Sequence, residues 1–92
     1  MCRNILPLFN FNPPATHEEV RAASLQFVRK VSGYTRPAAV NQVAFERAVD
    51  EISGVVQDLL DSLVTRAPAR DRETEAGKAR ARARVRYERH GR

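Results

Sequence analysis

The sequence predicts an all-α protein: an antiparallel helical hairpin with an extended N-terminal arm and a basic C-terminal tail able to turn helical. Three observations lead there. Residues 16–33 carry both the start and the stop signals of a helix. Residues 45–63 repeat apolar side chains three in every seven. Beyond Arg70 the large apolar residues vanish, leaving only Val85 and Tyr87.

The first fifteen residues, MCRNILPLFNFNPPA, read as an arm. Pro7, Pro13 and Pro14 oppose a helix, since proline lacks the backbone donor and clashes with the preceding turn. Leu6, Leu8, Phe9 and Phe11 are too apolar to be left in water, so the arm is expected to pack on the helices.

Thr16-His17-Glu18-Glu19 has the form of a capping box, a hydroxyl that accepts from the third residue on and a glutamate that reaches back. A helix is therefore expected from about His17 to Ser32, with Val20, Ala23, Phe27 and Val31 as its apolar stripe and Ser24 beside them. Leu25 and Val28 widen the apolar side, which implies a second contact. Glu18 and Glu19 at its start and Arg29 and Lys30 at its end complement the helix dipole. Gly33 is placed to end it in a left-handed conformation.

After a connection containing Pro37, Asn41 is a candidate cap for a second helix, expected over about 40–65. Phe45, Ala48, Val49, Ile52, Val55, Val56, Leu59 and Leu63 fall on positions a, d and e of successive heptads. That stripe is wider than a coiled-coil seam and suits bundle packing. Glu46, Asp50, Gln57 and Asp61 lie opposite, giving an acidic outer face.

Residues 1–66 thus form the expected helical core with its arm, and residues 67–92 an arginine-rich segment. Charge divides the same way. Residues 1–64 hold six Lys/Arg and seven Asp/Glu, whereas residues 65–92 hold ten and four. The net charge of +5 therefore comes from the tail. Lys78, Arg80, Arg82, Arg84, Arg86 and Arg89 spread around a helical wheel without a core-facing stripe. Ala and Arg favour helix, so the segment is expected to be a free helix, a partly helical ensemble or a segment that folds on binding. A core of this size buries little on its own. A homodimer with a four-helix core is expected; the alternative is a monomer whose tail supplies a third helix.

Four stretches carry a family resemblance. They are Met1-Cys2-Arg3-Asn4-Ile5, Pro7-Leu8-Phe9-Asn10-Phe11 followed by Pro13-Pro14-Ala15-Thr16, Leu25-Gln26-Phe27-Val28-Arg29-Lys30 with Ser32-Gly33, and Leu59-Leu60-Asp61-Ser62-Leu63. Over most of residues 1–73 the chain resembles a group of short bacterial proteins classed as a domain of unknown function. The resemblance implies that Met1 is a natural start and brings no activity, cofactor or partner with it.

Little in the chain points to catalysis. Cys2 is the one candidate nucleophile: removal of Met1 would pair its thiol with an α-amine, which can serve as its base, and Arg3 would favour the thiolate. The opening is loosely similar to the start of N-terminal-cysteine amidotransferases and of proteins that cross-link abasic DNA. Arg3 and Asn4 stand where those have a glycine-containing motif, and the chain is far shorter than either fold. A terminal thiol without catalytic use is the plainer reading. His17 and His90 are the two histidines; with a single cysteine they make no zinc spacing. No phosphate loop, dinucleotide fingerprint or nucleophile elbow is present. No metal or other cofactor is expected, and the carboxylates of the second helix are explained by solvation.

The tail supports one further expectation. Lys78, Arg80, Arg82, Arg84, Arg86 and Arg89 suit phosphates, with Tyr87 available to stack on a base. The expected activity is therefore a non-enzymatic accessory role in which the tail binds nucleic acid without reading sequence. The competing reading is a protein-interaction module, the tail docking on an acidic partner or on the acidic face of its own second helix. No apolar run approaches transmembrane length and no secretory leader is recognisable, so a reducing cytoplasm is expected and a membrane partner is not.

Overall fold

A computed structural model describes the backbone of residues 5–90 and the side chains of residues 5–86. Cys2 lies outside the described residues, and so do the side chains of Tyr87 and Arg89. The elements in chain order are β1 (Phe11–Asn12), α1 (His17–Ser32), a 3₁₀ turn (Ala39–Asn41), α2 (Gln42–Ser62), β2 (Arg70–Asp71) and α3 (Arg72–His90). The protein is mostly helical, with one departure from an all-α reading: β1 and β2 pair in parallel, Phe11 opposite Arg70 and Asn12 opposite Asp71.

The ends of α1 follow directly from local chemistry. Thr16 and Glu19 form the full capping box: the Glu19 amide donates to Thr16 Oγ1 at 3.2 Å, and the Thr16 amide donates to Glu19 Oε1 at 3.0 Å. Gly33 closes the helix at φ 79°, its N–H donating to the Arg29 carbonyl at 2.9 Å. A side chain there would meet the steric penalty of the left-handed region. The second helix begins two residues later and ends three residues earlier than expected. Asn41 makes no side-chain cap; the 3₁₀ turn leads the chain into the helix instead.

α1 and α2 pack together, and the contact is narrower than the sequence stripes imply. Val20, Ser24 and Val28 are buried on α1, and Val49 and Ser53 on α2. These residues recur at intervals of four, one strip along each helix. The two serines are small, and each satisfies its hydroxyl on its own helix: Ser24 donates to the Val20 carbonyl at 2.9 Å and Ser53 to the Val49 carbonyl at 2.7 Å. A buried hydroxyl bonded in this way carries no unpaired donor. Arg21 of α1 and Asp50 of α2 form an ion pair beside this contact.

Of the stripe residues outside the strip, Ala23, Phe45, Ala48, Ile52 and Val56 are half-buried and the others stay wet. Phe27 is 49 % exposed, Val31 71 %, Val55 69 % and Leu59 55 %. They lie outside the buried strip that the two helices share.

The arm is tied to the chain after α2. Asn10 takes φ 62°, a conformation asparagine tolerates better than most residues. Its side-chain amide donates to the carbonyls of Ala67 (3.3 Å) and Pro68 (3.2 Å), and its own carbonyl accepts from the Arg70 amide at 2.8 Å. α3 continues from β2 without a break and stands off the α1/α2 pair. The radius of gyration is 16.3 Å, against about 12 Å for a compact domain of this length. Among the described residues, no helix is long and apolar enough to cross a membrane.

Candidate functional site

Two features are candidates for contact with other molecules: the root of α3, where it meets the arm, and the outer length of the same helix.

The root is built around Glu19. One oxygen of its carboxylate closes the capping box, and both are gripped by Arg72, at 2.8 Å from Nη2 to Oε1 and 2.9 Å from Nη1 to Oε2. The same guanidinium donates through Nε to the Pro13 carbonyl at 2.7 Å. A planar fork facing a carboxylate is the strongest geometry an ion pair can take, and both side chains are about two-thirds covered. The Arg72 hydrogen bonds, with the Thr16 amide second, hold the Glu19 carboxyl down at about 2. Phe11 completes the joint. The guanidinium carbons of Arg70 and Arg72 lie 5.6 Å and 5.8 Å from its ring centroid, within cation–π range.

α3 also has a start signal of its own. Asp71 caps it, accepting from the Thr74 amide at 2.8 Å, and that bond lowers the Asp71 pKa. Glu73 and Glu75 sit in the first turn, where negative charge meets the positive end of the helix dipole.

Between arm and helix lies a cleft of about 370 Å³. Leu6, Pro7, Leu8 and Phe11 form the arm side; Ala76 and Ala79 form the α3 side; Arg70, Arg72 and Arg82 lie with Glu19 and Glu75 around them. α3 therefore does have a face turned to the rest of the chain. It consists of alanines and charged residues instead of large apolar ones, so a wheel scored for bulk apolar residues does not show it.

The outer length of α3 is basic and solvated. Lys78, Arg80, Arg82, Arg84 and Arg86 are all exposed. Lys78 meets Glu75 at 3.5 Å and Arg80 meets Glu73 at 3.3 Å, both within the helix. Among the described residues, Arg82, Arg84 and Arg86 have no carboxylate partner. No described cation of α3 pairs with the acidic face of α2; the core carboxylate that anchors α3 is Glu19. Sequence reasoning explains Glu19 by the cap alone, although the second oxygen of a capping-box carboxylate is always available to another donor. Arg70 and Arg72 likewise register in the sequence only as tail charge. Among the described residues, no group of three or more His, Cys, Asp or Glu side chains gathers as a metal site.

With this geometry in hand, comparison with known proteins gives one match. The model of a family described as an uncharacterized conserved protein (DUF2277) matches residues 1–78, which takes in the arm, both core helices and the root of α3. No curated protein and no solved structure matches.

Proposed function

We propose that the chain, which belongs to the DUF2277 family, is a non-enzymatic accessory protein that binds nucleic acid without sequence preference along α3. One observation carries the reading. α3 is fixed at its root by Glu19, yet presents Arg82, Arg84 and Arg86 to solvent with no carboxylate partner among the described residues. A pre-formed cationic helix attracts a phosphate backbone through counterion release, and guanidinium groups bind phosphate oxygens in pairs. A cytoplasmic location fits this role and the single cysteine.

Deleting the whole tail is a poor test, because it removes Arg70 and Arg72 and so frees the arm. The better variant is Arg82→Gln/Arg84→Gln/Arg86→Gln, which alters exposed positions alone. Fluorescence anisotropy with a single-stranded RNA and a duplex DNA, between about 50 and 200 mM salt, reads the outcome. The log–log salt slope is expected to fall by roughly 0.7–0.9 for each phosphate that the variant no longer neutralises. Equal affinity and slope for the variant and the parent would refute the reading.

A second reading concerns assembly, and the exposed apolar side chains favour it. Among the described residues the buried apolar side chains are Val20, Val28 and Val49, while Phe27, Val31, Val55, Leu59 and Leu63 remain at least 44 % exposed. In this reading α1 and α2 run as an antiparallel hairpin, supported by the Arg21–Asp50 pair and the short connection over residues 33–41. Two hairpins then meet through these flanks, as small cores often require. Light scattering coupled to size exclusion is expected to return twice the chain mass of 10.4 kDa at tens of micromolar. Leu59→Asp is expected to return it to the monomer; a parent monomeric throughout would rule the dimer out.

A further inference from the structure

The cleft at the root of α3 has a chemistry of its own and shares only Arg82 with the outer arginines. From that chemistry we infer a binding site for an aliphatic carboxylate, with the chain lying between arm and helix and the head group on Arg70 and Arg82.

The volume, about 370 Å³, falls in the range of small-molecule sites. Its walls are aliphatic: Leu6 and Leu8 on one side, Ala76 and Ala79 on the other. Leu6 is 69 % exposed, a large apolar side chain that an occupant of the cleft would take out of water. The two alanines leave a shallow slot along α3 that an unbranched chain fills better than a ring. Phe11 offers little to an aromatic ligand, because the guanidinium groups of Arg70 and Arg72 already lie over it.

Charge selects the head group. Arg72 and Glu19 neutralise each other across their fork, and Glu75 faces Lys78. Arg70 and Arg82, which both line the cleft, are left without a carboxylate partner among the described residues. Two uncompensated guanidinium groups repel a cation and give a neutral head group only a weaker hydrogen bond, without charge on the acceptor. They match one carboxylate, which accepts from a guanidinium fork in a planar, paired geometry.

Isothermal titration of the full chain with acetate, hexanoate, octanoate and 1-octanol tests this. Each methylene buried is worth about fourfold in affinity, so octanoate, two methylenes longer, is expected to bind roughly fifteenfold more tightly than hexanoate, and acetate not measurably. Octanol is expected to bind at least tenfold more weakly than octanoate. Arg82→Gln should weaken octanoate about tenfold. Ala79→Phe should fill the slot and abolish octanoate binding while leaving nucleic-acid affinity unchanged, which separates this site from the proposed function. Circular dichroism verifies that both variants keep their helices. The inference is overturned by no saturable octanoate binding, by no dependence on chain length, by octanol binding as tightly as octanoate, or by full binding to a folded Ala79→Phe variant.

Discussion

Ser53→Leu is expected to lower the melting temperature by roughly 5–15 °C. Ser53 is 1 % exposed, and the contact around it is set by a residue of serine size. Adding the bulk of leucine to a packed site costs about 1–3 kcal/mol. A domain of under a hundred residues loses about 4–8 °C per kcal/mol. Total stability for a chain of this length is of the order of 5–14 kcal/mol, so the loss is a substantial fraction. Ser53→Ala serves as the comparison and is expected to change stability by less than about 1 kcal/mol. The hydroxyl bonds only to a carbonyl of its own helix, and alanine is the better helix former. Differential scanning calorimetry on both variants decides the matter; a Ser53→Leu protein that melts with the parent would mean the two helices do not meet there.

The second expectation is an acid-triggered release of the arm and the root of α3. Glu19 has its pKa lowered in the folded protein to about 2, from an ordinary value near 4.3. A group depressed in this way contributes stability that is fully present above the unfolded value and is lost as pH falls through the folded one. The window is therefore about pH 5 down to about pH 2. Asp71, lowered by the Thr74 amide, acts in the same direction, so the assignment needs a variant. In Arg72→Ala the Glu19 carboxyl loses the largest cause of its shift and is expected to titrate well above 2. The Arg70 amide, bonded to the Asn10 carbonyl, is expected to lose protection from hydrogen exchange even at neutral pH. Both are read by NMR, the first from the carboxyl carbon of Glu19. An unchanged Glu19 titration in Arg72→Ala would show that the fork does not hold in solution. α1 and α2 are expected to keep their protection, since their shared strip does not include Arg72.

What can be read from the sequence is local. The capping box at Thr16 and Glu19, the stop at Gly33 and the span of α1 all follow from residues within one or two turns of each other. The existence of α2 follows from a periodicity sustained over twenty residues. The failures share a cause. Phe27, Val31, Val55 and Leu59 belong to good apolar stripes, but a stripe records which side of a helix is apolar and not how much of it a short partner can cover. The β1/β2 pair involves two residues from each end of the fold, too few to show an alternating pattern. The bond between Glu19 and Arg72 joins a residue already explained by its cap to one already explained by tail charge. A start signal for α3 is present in Asp71-Arg72-Glu73-Thr74-Glu75; the loss of large apolar residues just there draws attention to charge instead. Ala76 and Ala79 face the arm, yet alanine in a helix is equally at home in solvent.

The pairing of Phe11 with Arg70 also bears on how the chain acquires its shape. It closes a loop that contains both α1 and α2, so its entropic cost is that of joining ends separated by most of the protein. The contacts between α1 and α2 are nearer in sequence and return free energy before that cost is met. The arm and the first turn of α3 are accordingly expected to join last in folding and to part first in native fluctuations, as a small cooperative unit whose opening leaves the rest intact. A segment that opens in this way exposes Leu8 and Phe11 beside the already exposed Leu6, which makes residues 5–12 the place where the free energy of opening sets susceptibility to proteolysis and aggregation.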